Sequence, residues 1–310
     1  MQGGIAVTTA TVTGADGFAG SHLVENLLDA GYDVIAMVRR TPVVNLVPRK
    51  RMKVVVADVM DYPSVQKACL HSDCVFHLAA ISGIEETRRN QVLSFESNTV
   101  GTMNVLNACA ENRVRRALYC STCHVYGNQK VLPVDEGTVP NPNDIYSAGK
   151  YSAELLSRAL MNMVPHLDVV VSRGFNHYGP RQREAWLMPS LITQALRGSV
   201  IQIGAPDPTR DFTYVSDVVE GYRLAVERGK RGQVYQFCSG VERSNADIIR
   251  EVVKIMDWKG EVRYSNPRSA EMMRSYGTFG KAYSMLGWYP KVGFIDGLKA
   301  TISWWKGGCK

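Results

Sequence analysis

The chain has 310 residues, 45% of them hydrophobic and 21% charged, with a formal net charge of +7. That length buries a large core and suits one large α/β unit or a large domain carrying a smaller one. No run of about 18 apolar residues occurs, which excludes a membrane-spanning helix, and the basic clusters "RKR" (49–51) and "RVRR" (113–116) lack the interleaved aromatics of a nucleic-acid surface.

The N-terminal "MQGGIAVTTATVTG" carries no basic region ahead of an apolar stretch and passes straight into a strand-like segment, so no secretory signal is expected. From there the first half alternates apolar runs with amphipathic stretches. "ATVTG" reads as strand, "FAGSHLVENLLDAG" as helix, "DVIAMV" and "KVVVADV" as strands, "YPSVQKACL" as helix and "CVFHLAA" as strand. "NTVGTMNVLNACAEN" then reads as helix, "RALYCST" as strand, "YSAGKYSAELLSRALMNMV" as a long helix and "DVVVSRG" as strand. Apolar runs without strict alternation, separated by helices, predict a parallel sheet buried on both faces, a doubly wound α/β (Rossmann) fold. Beyond about residue 175 the pattern breaks into Pro- and Gly-rich loops, short strands ("VIQIG", "VYQFC") and a few helices. We expect a dinucleotide-binding domain over 1–175 plus about 211–240. About 176–210 and 241–310 should form a smaller α+β domain over the carboxyl ends of the strands, where such sheets bind ligands.

"TVTGADGFAG" joins the first strand to the first helix. Gly14, Gly17 and Gly20, with Phe18 opening the helix, allow a tight turn and the approach of a pyrophosphate to backbone N–H groups. Where an NAD site places an acid after the second strand, this chain has Val38, Arg39 and Arg40. Arginine there suits a 2′-phosphate, so NADP is the expected cofactor, with NAD the alternative and solvent-facing arginines the bland reading. Asp58 and Val59 follow the third strand, where an acid can accept from the adenine amino group, and Ala79 and Ala80 leave room for the cofactor.

Tyr146 and Lys150 lie four apart on one helix face, where a cation beside the phenol would lower its pKa for proton abstraction. Thr122 ends the preceding strand, followed by Cys123 and His124, both ionisable. Continued strand alternation would send Cys123 away from Thr122 and His124; both reach a substrate only if the strand has ended by residue 123. Cys120 and Cys123 form a C-x-x-C in a strand context, which points away from a redox or metal role, and no metal is expected. Seven cysteines without framework spacing suggest free thiols and a cytoplasmic location. His77 reads as strand-end packing, and His177 as either a substrate contact or a loop hydrogen bond.

The motifs "TGADGFAG", "HLAA", "STCHVYG", "YSAGK", "FNHYGPRQ" and "RDFTYVSDVV", with the tail "LGWYPKVGFIDGL", span nearly the whole chain. On these the chain resembles the extended short-chain dehydrogenases/reductases that act as NAD(P)-dependent nucleotide-sugar epimerases and dehydratases. The resemblance implies catalytic Thr122, Tyr146 and Lys150. It further implies a substrate-diphosphate contact at Asn176, phosphate- or ribose-clamping Arg210 and Arg268, and a nucleotide-diphosphate sugar as partner. It implies a homodimer through helices 99–112 and 146–163. The stretch "GYDVIAMVRR" is most similar to GDP-mannose 4,6-dehydratases, which use NADP. The family's shared chemistry is transient oxidation, usually at C4. Dehydratases then place Asp-Glu or Ser-Glu after the Thr and 4-epimerases place small or neutral residues; here Cys123 and His124 stand instead. The expectation is 4,6-dehydratase-type or C5 chemistry, with 4-epimerisation the alternative and a non-catalytic cofactor-binding protein the remote one.

Overall fold

In the computed structural model, residues 8–82, 84–266 and 272–308 are described. Strands β1 (Thr9–Thr13), β2 (Asp33–Val38), β3 (Met52–Val56), β4 (Cys74–His77), β5 (Arg116–Thr122) and β6 (Asp168–Gly174) alternate with helices α1 (Phe18–Asp29), α2 (Tyr62–Ala68), α3 (Ile84–Arg89), α4 (Gln91–Glu111) and α5 (Ile145–Met163). There follow β7 (Asn176–Tyr178), α6 (Leu187–Arg197), β8 (Val200–Ile203), β9 (Thr209–Tyr214), α7 (Val215–Arg228), β10 (Val234–Phe237) and β11 (Glu242–Ser244). The described chain ends with α8 (Asn245–Met256), β12 (Glu261–Tyr264), β13 (Arg274–Ser275), α9 (Gly280–Leu286) and α10 (Phe294–Lys306).

Seven strands form one sheet in the order β10-β6-β5-β4-β1-β2-β3, and every pair in it is parallel. Its central strands are buried on both faces, β4 throughout and β5 from Ala117 onward, as helices on both sides require. One core lies between the sheet and α1 and α7, the other between the sheet and α2, α4 and α5. The strand order reverses between β1 and β4, so the loops after these two strands open a crevice at their carboxyl ends.

A second, smaller body is built from β11-β9-β13, with β7 also paired to β9, and from the β8–β12 pair. Tyr178, Phe212 and residues of α6, α8 and α10 form its own core. The chain leaves it at Tyr214, where β9 runs directly into α7, and α7 packs back on the large sheet beside α1.

Helix α4 begins at Gln91, ahead of the start read from the sequence. Its first turns bury Ser94, Ser97, Asn98 and Thr99 while Val92, Leu93, Phe95 and Val100 are exposed. That inverted polarity hides the helix from an inward-facing apolar pattern. No helix among the described residues is long and apolar enough to cross a membrane.

Candidate active site

Gly14 takes φ +67° at the end of β1, a left-handed conformation that disfavours a side chain. A Cβ there would stand 2.9 Å from Ala79 N, and a Cβ on Gly20 would stand 2.1 Å from Gly14 O. Gly17 N donates to Gly14 O at 2.9 Å and caps α1 without a side-chain hydrogen bond, so the helix's first N–H groups are left open to a ligand. Thr13 Oγ1 accepts from the amides of Leu78 and Ala79 at 3.2 and 3.1 Å, drawing the β4 loop onto the glycine turn. With its lone pairs so used, Thr13 donates to His77 Nδ1 at 2.8 Å. His77 Nε2 in turn lies 3.0 Å from Thr102 Oγ1, which donates to Asn98 O. Burial holds this imidazole down to about 3, so it is a neutral strut, as its strand-end position implied.

The glycine turn, the uncapped α1 terminus and the half-buried Ala79 and Ala80 fit the pyrophosphate and adjoining parts of a dinucleotide. Asp16, inside the turn, accepts from the amides of Val44 and Asn45 and so fixes the loop after β2. Arg39 and Arg40 are exposed where that loop begins, with no ion pair among the described residues. Asp58 is half-buried after β3 and accepts from Met60 N; Val59 is buried beneath Gly101 of α4.

Strand β5 stops at Thr122 and a single 3₁₀ turn, Cys123–Tyr126, follows. The condition for bringing these side chains together is therefore met. Thr122 Oγ1 accepts the His124 amide at 3.2 Å, and the same hydroxyl is hydrogen-bonded to the Tyr146 phenol. Helix α5 presents Tyr146 in its first turn and Lys150 one turn later. Lys150 is buried, and loss of solvent pushes its ammonium down to about 8. The sequence reading that Lys150 lowers the phenol's pKa needs correction. Burial, the largest influence on Tyr146, holds its phenol above the ordinary tyrosine value, with the Thr122 hydrogen bond as the opposing one. Lys150 Nζ instead lies 4.7 Å above the Tyr119 ring.

The two residues after Thr122 part company. Cys123 is buried with Val125, Val134, Phe175 and Cys238, and Ser275 Oγ is 3.9 Å from its sulfur. Burial pushes its thiol up to about 12. His124 is partly exposed and stands edge-on to Tyr146, with ring centroids 6.3 Å apart. Its pKa is lowered by burial, raised by Asp144 and lowered by Arg210. Cys120 and Cys123 are both free thiols.

From the smaller body, Asn176 opens β7 and its buried Oδ1 has no hydrogen-bond partner among the described residues. Arg210 on β9 is close enough for its charge to act on both Cys123 and His124. Arg268 lies outside the described residues. His177 Nε2 lies 3.2 Å from Tyr222 Oη of α7 rather than against a loop, its Nδ1 has no hydrogen-bond partner among the described residues, and burial lowers its pKa to about 4.

The sequence reading missed two features. Asp144 caps α5 and faces His124, for which the only signal was an acid two residues before Tyr146. Glu154, fully buried one turn beyond Lys150, accepts from Arg173 Nε at 3.1 Å, from Arg173 Nη2 at 2.7 Å and from the Ser121 hydroxyl. This cluster locks α5 onto β5 and β6, and with it the positions of Tyr146 and Lys150.

Residues 10–238 match the model of the NAD dependent epimerase/dehydratase family. A putative UDP-glucose 4-epimerase of Methanocaldococcus jannaschii is 31% identical over 301 residues, covering 95% of this chain and 97% of its own. The crystal structure of a dTDP-glucose 4,6-dehydratase from Streptomyces venezuelae with NAD bound superposes with a TM-score of 0.92 at 28% identity, covering 97% of each chain. The protein designated RMD from Pseudomonas aeruginosa, complexed with NADPH, superposes with a TM-score of 0.85 at 26% identity, covering 97% of this chain and all of its own.

Proposed function

The chain belongs to the NAD dependent epimerase/dehydratase family, and from that premise we propose that it modifies a nucleotide-diphosphate sugar through transient oxidation at C4, followed by removal of the hydrogen on C5. The observation that carries this reading is the convergence of Thr122, Tyr146, Lys150 and His124 at the ends of β5 and α5. The seven-stranded body, with the crossing at Tyr214, is read as the cofactor domain and the smaller body as the nucleotide-sugar domain.

Gly14, Gly17, Phe18 and Gly20 would hold the pyrophosphate, with Asp58, Val59, Ala79, Ala80 and Lys150 around the rest of the cofactor. We take NADP as the preferred form, because Arg39 and Arg40 stand exposed at the end of β2 on a loop that Asp16 anchors. Arg39→Ala with Arg40→Ala should then erase any preference for NADPH over NADH in a fluorescence titration. Equal binding by the unmodified protein would refute the assignment.

With burial raising its pKa, the Tyr146 phenol is protonated in the cofactor-free protein, so it becomes a base only when positive charge enters its surroundings. A bound oxidised nicotinamide would supply that charge and a reversible acceptor for the C4 hydride. Tyr146 takes the C4 hydroxyl proton, and Thr122 donates to the resulting phenolate oxygen. The C4 ketone acidifies the C5 hydrogen. His124, whose lowered pKa keeps it neutral near pH 7, takes that proton as the C–H electron pair moves into the enolate. The same proton then leaves with the C6 hydroxyl as water; the hydride would return to C6, His124 would give C5 a proton drawn from solvent, and Tyr146 would release the C4 hydroxyl proton to solvent. Cys123 is read as wall rather than acid, because a thiol at about 12 is enclosed by apolar side chains and is a weak donor. Asn176, Arg210 and Arg268 would hold the diphosphate and ribose.

The partner proposed is a nucleotide-diphosphate sugar, and the assembly a homodimer. The exposed Val92, Phe95 and Val100 of α4 and Leu155 and Met163 of α5 support a contact through these helices. The deciding experiment incubates the protein with UDP-, GDP- and dTDP-sugars in deuterated water. Loss of water with deuterium gained supports the reading. An isomer of unchanged mass without exchange makes it a 4-epimerase, and no turnover with any sugar refutes both.

A further inference from the structure

Asp144 is tied down on one side and open on the other. Its Oδ1 accepts the Ser147 amide at 2.7 Å, and its own amide donates to Ser147 Oγ at 3.3 Å, completing a capping box at the start of α5. This fixes the carboxylate on a rigid helix end and leaves Oδ2 4.0 Å from His124 Nδ1. A cap requires one oxygen and no charge, since Asn and Ser cap as well as Asp. The second oxygen, aimed at an imidazole, is surplus to that need. The imidazole it faces stands against the Tyr146 ring, two residues along the same helix. Among the described residues, the charged and titratable groups around His124 are Asp144 and Tyr146 from α5, Arg210 from β9, and its neighbour Cys123.

We propose that Asp144 and His124 form an acid–base dyad in which the capped carboxylate holds the imidazole with Nδ1–H toward Asp144 and Nε2 toward the substrate, making Asp144 the positioning residue for the proton transfer after C4 oxidation. This rests on the reading above. An Nδ1–H donor pointed at a carboxylate leaves Nε2 as the free acceptor, the tautomer that proton abstraction needs. The carboxylate also stabilises the imidazolium formed when Nε2 takes the proton from carbon. A gap of 4.0 Å is longer than a hydrogen bond, and such contacts commonly tighten when substrate closes the site. The charge of Asp144 opposes both burial and Arg210, and so favours the protonated imidazole that passes its proton to the departing hydroxyl.

Asp144→Asn tests the dyad, because Asn keeps the cap and removes the charge. With a turned-over sugar in deuterated water, the 340 nm absorbance of the first step should form at the wild-type rate. Deuterium entry at C5 should fall by about 10- to 100-fold, and the acid limb of its pH profile should move down by about one pH unit. Adding Asp144→Asn to His124→Gln should cost nothing further. In the ligand-free protein, nitrogen-resolved NMR should show His124 protonated at Nδ1, with that tautomer lost and the titration displaced to lower pH in Asp144→Asn. Wild-type exchange and an unmoved His124 titration in Asp144→Asn would overturn the dyad, as would an equal loss in the His124→Gln background. Absence of any 340 nm change with the unmodified protein would refute the reaction reading instead, leaving the NMR titration to decide the dyad by itself.

Discussion

Replacing Glu154 by Gln should destabilise the protein strongly although it preserves shape. Glu154 is fully buried, and Arg173, which it faces across two hydrogen bonds, is 2% exposed. Gln keeps one acceptor but removes the charge, and a guanidinium stays protonated inside a protein. Removing one partner of a buried ion pair costs about 3–5 kcal/mol. The remaining amide oxygen recovers about 1 kcal/mol, while the Tyr126 ring, 4.9 Å from the guanidinium carbon, is common to both proteins and recovers nothing. The net loss is therefore about 2–4 kcal/mol, a fall in Tm of roughly 3–6 °C for a chain of this size. Urea denaturation followed by circular dichroism, without added cofactor so that ligand binding does not mask the change, gives the free energy. Combining Glu154→Met with Arg173→Leu removes both charges and should regain most of the loss. A Glu154→Gln variant within about 0.5 kcal/mol of wild type, or a double variant as unstable as the single one, would refute the argument.

Gly14→Ala forces a side chain into a left-handed position 2.9 Å from Ala79 N, so nicotinamide cofactor affinity in a fluorescence titration should drop at least about tenfold. Lys150, lowered to about 8, loses its charge above that pH, so kcat/KM should decline from about pH 8 upward. Loss of solvent lowers the half-buried His22 and His177 to about 4 and the fully buried His77 to about 3. Between pH 6.5 and 4 the unfolded chain binds protons that the folded one refuses, so stability should fall as pH drops through that window and be insensitive to them above it. Chemical denaturation at pH 7, 6 and 5 measures this. Cys123→Ala should leave turnover within about threefold, since a thiol at about 12 is a weak acid; a hundredfold loss would return Cys123 to the chemistry.

Much of the architecture was legible because parallel strands buried on both faces carry short apolar runs, as in Val75 and Phe76 of β4, Ala117 to Tyr119 of β5 and Val169 to Val171 of β6. The glycine turn was readable for a similar reason: Gly14 and Gly20 stand where backbone meets backbone, and no other residue fits. Tyr146 and Lys150 were readable because helical spacing alone puts them on one face. The start of α4 was not, since its apolar residues point outward and periodicity assumes the reverse.

The stretch after Thr122 divides the two kinds of information. Residue types by themselves set which chemistries were possible there: a hydroxyl, a thiol and an imidazole ahead of a Tyr and a Lys. Where β5 ends depends on pairing with β6, which closes at Thr122 opposite Gly174, and that register is a long-range fact. It turns His124 toward Asp144 and Tyr146 and seals Cys123 among Val125, Phe175 and Cys238. Burial then raises the phenol and the thiol and lowers the imidazole and the ammonium, because loss of water penalises whichever form is charged. Sequence spacing carries no measure of that loss; only the packing of two distant parts of the chain around these groups decides it.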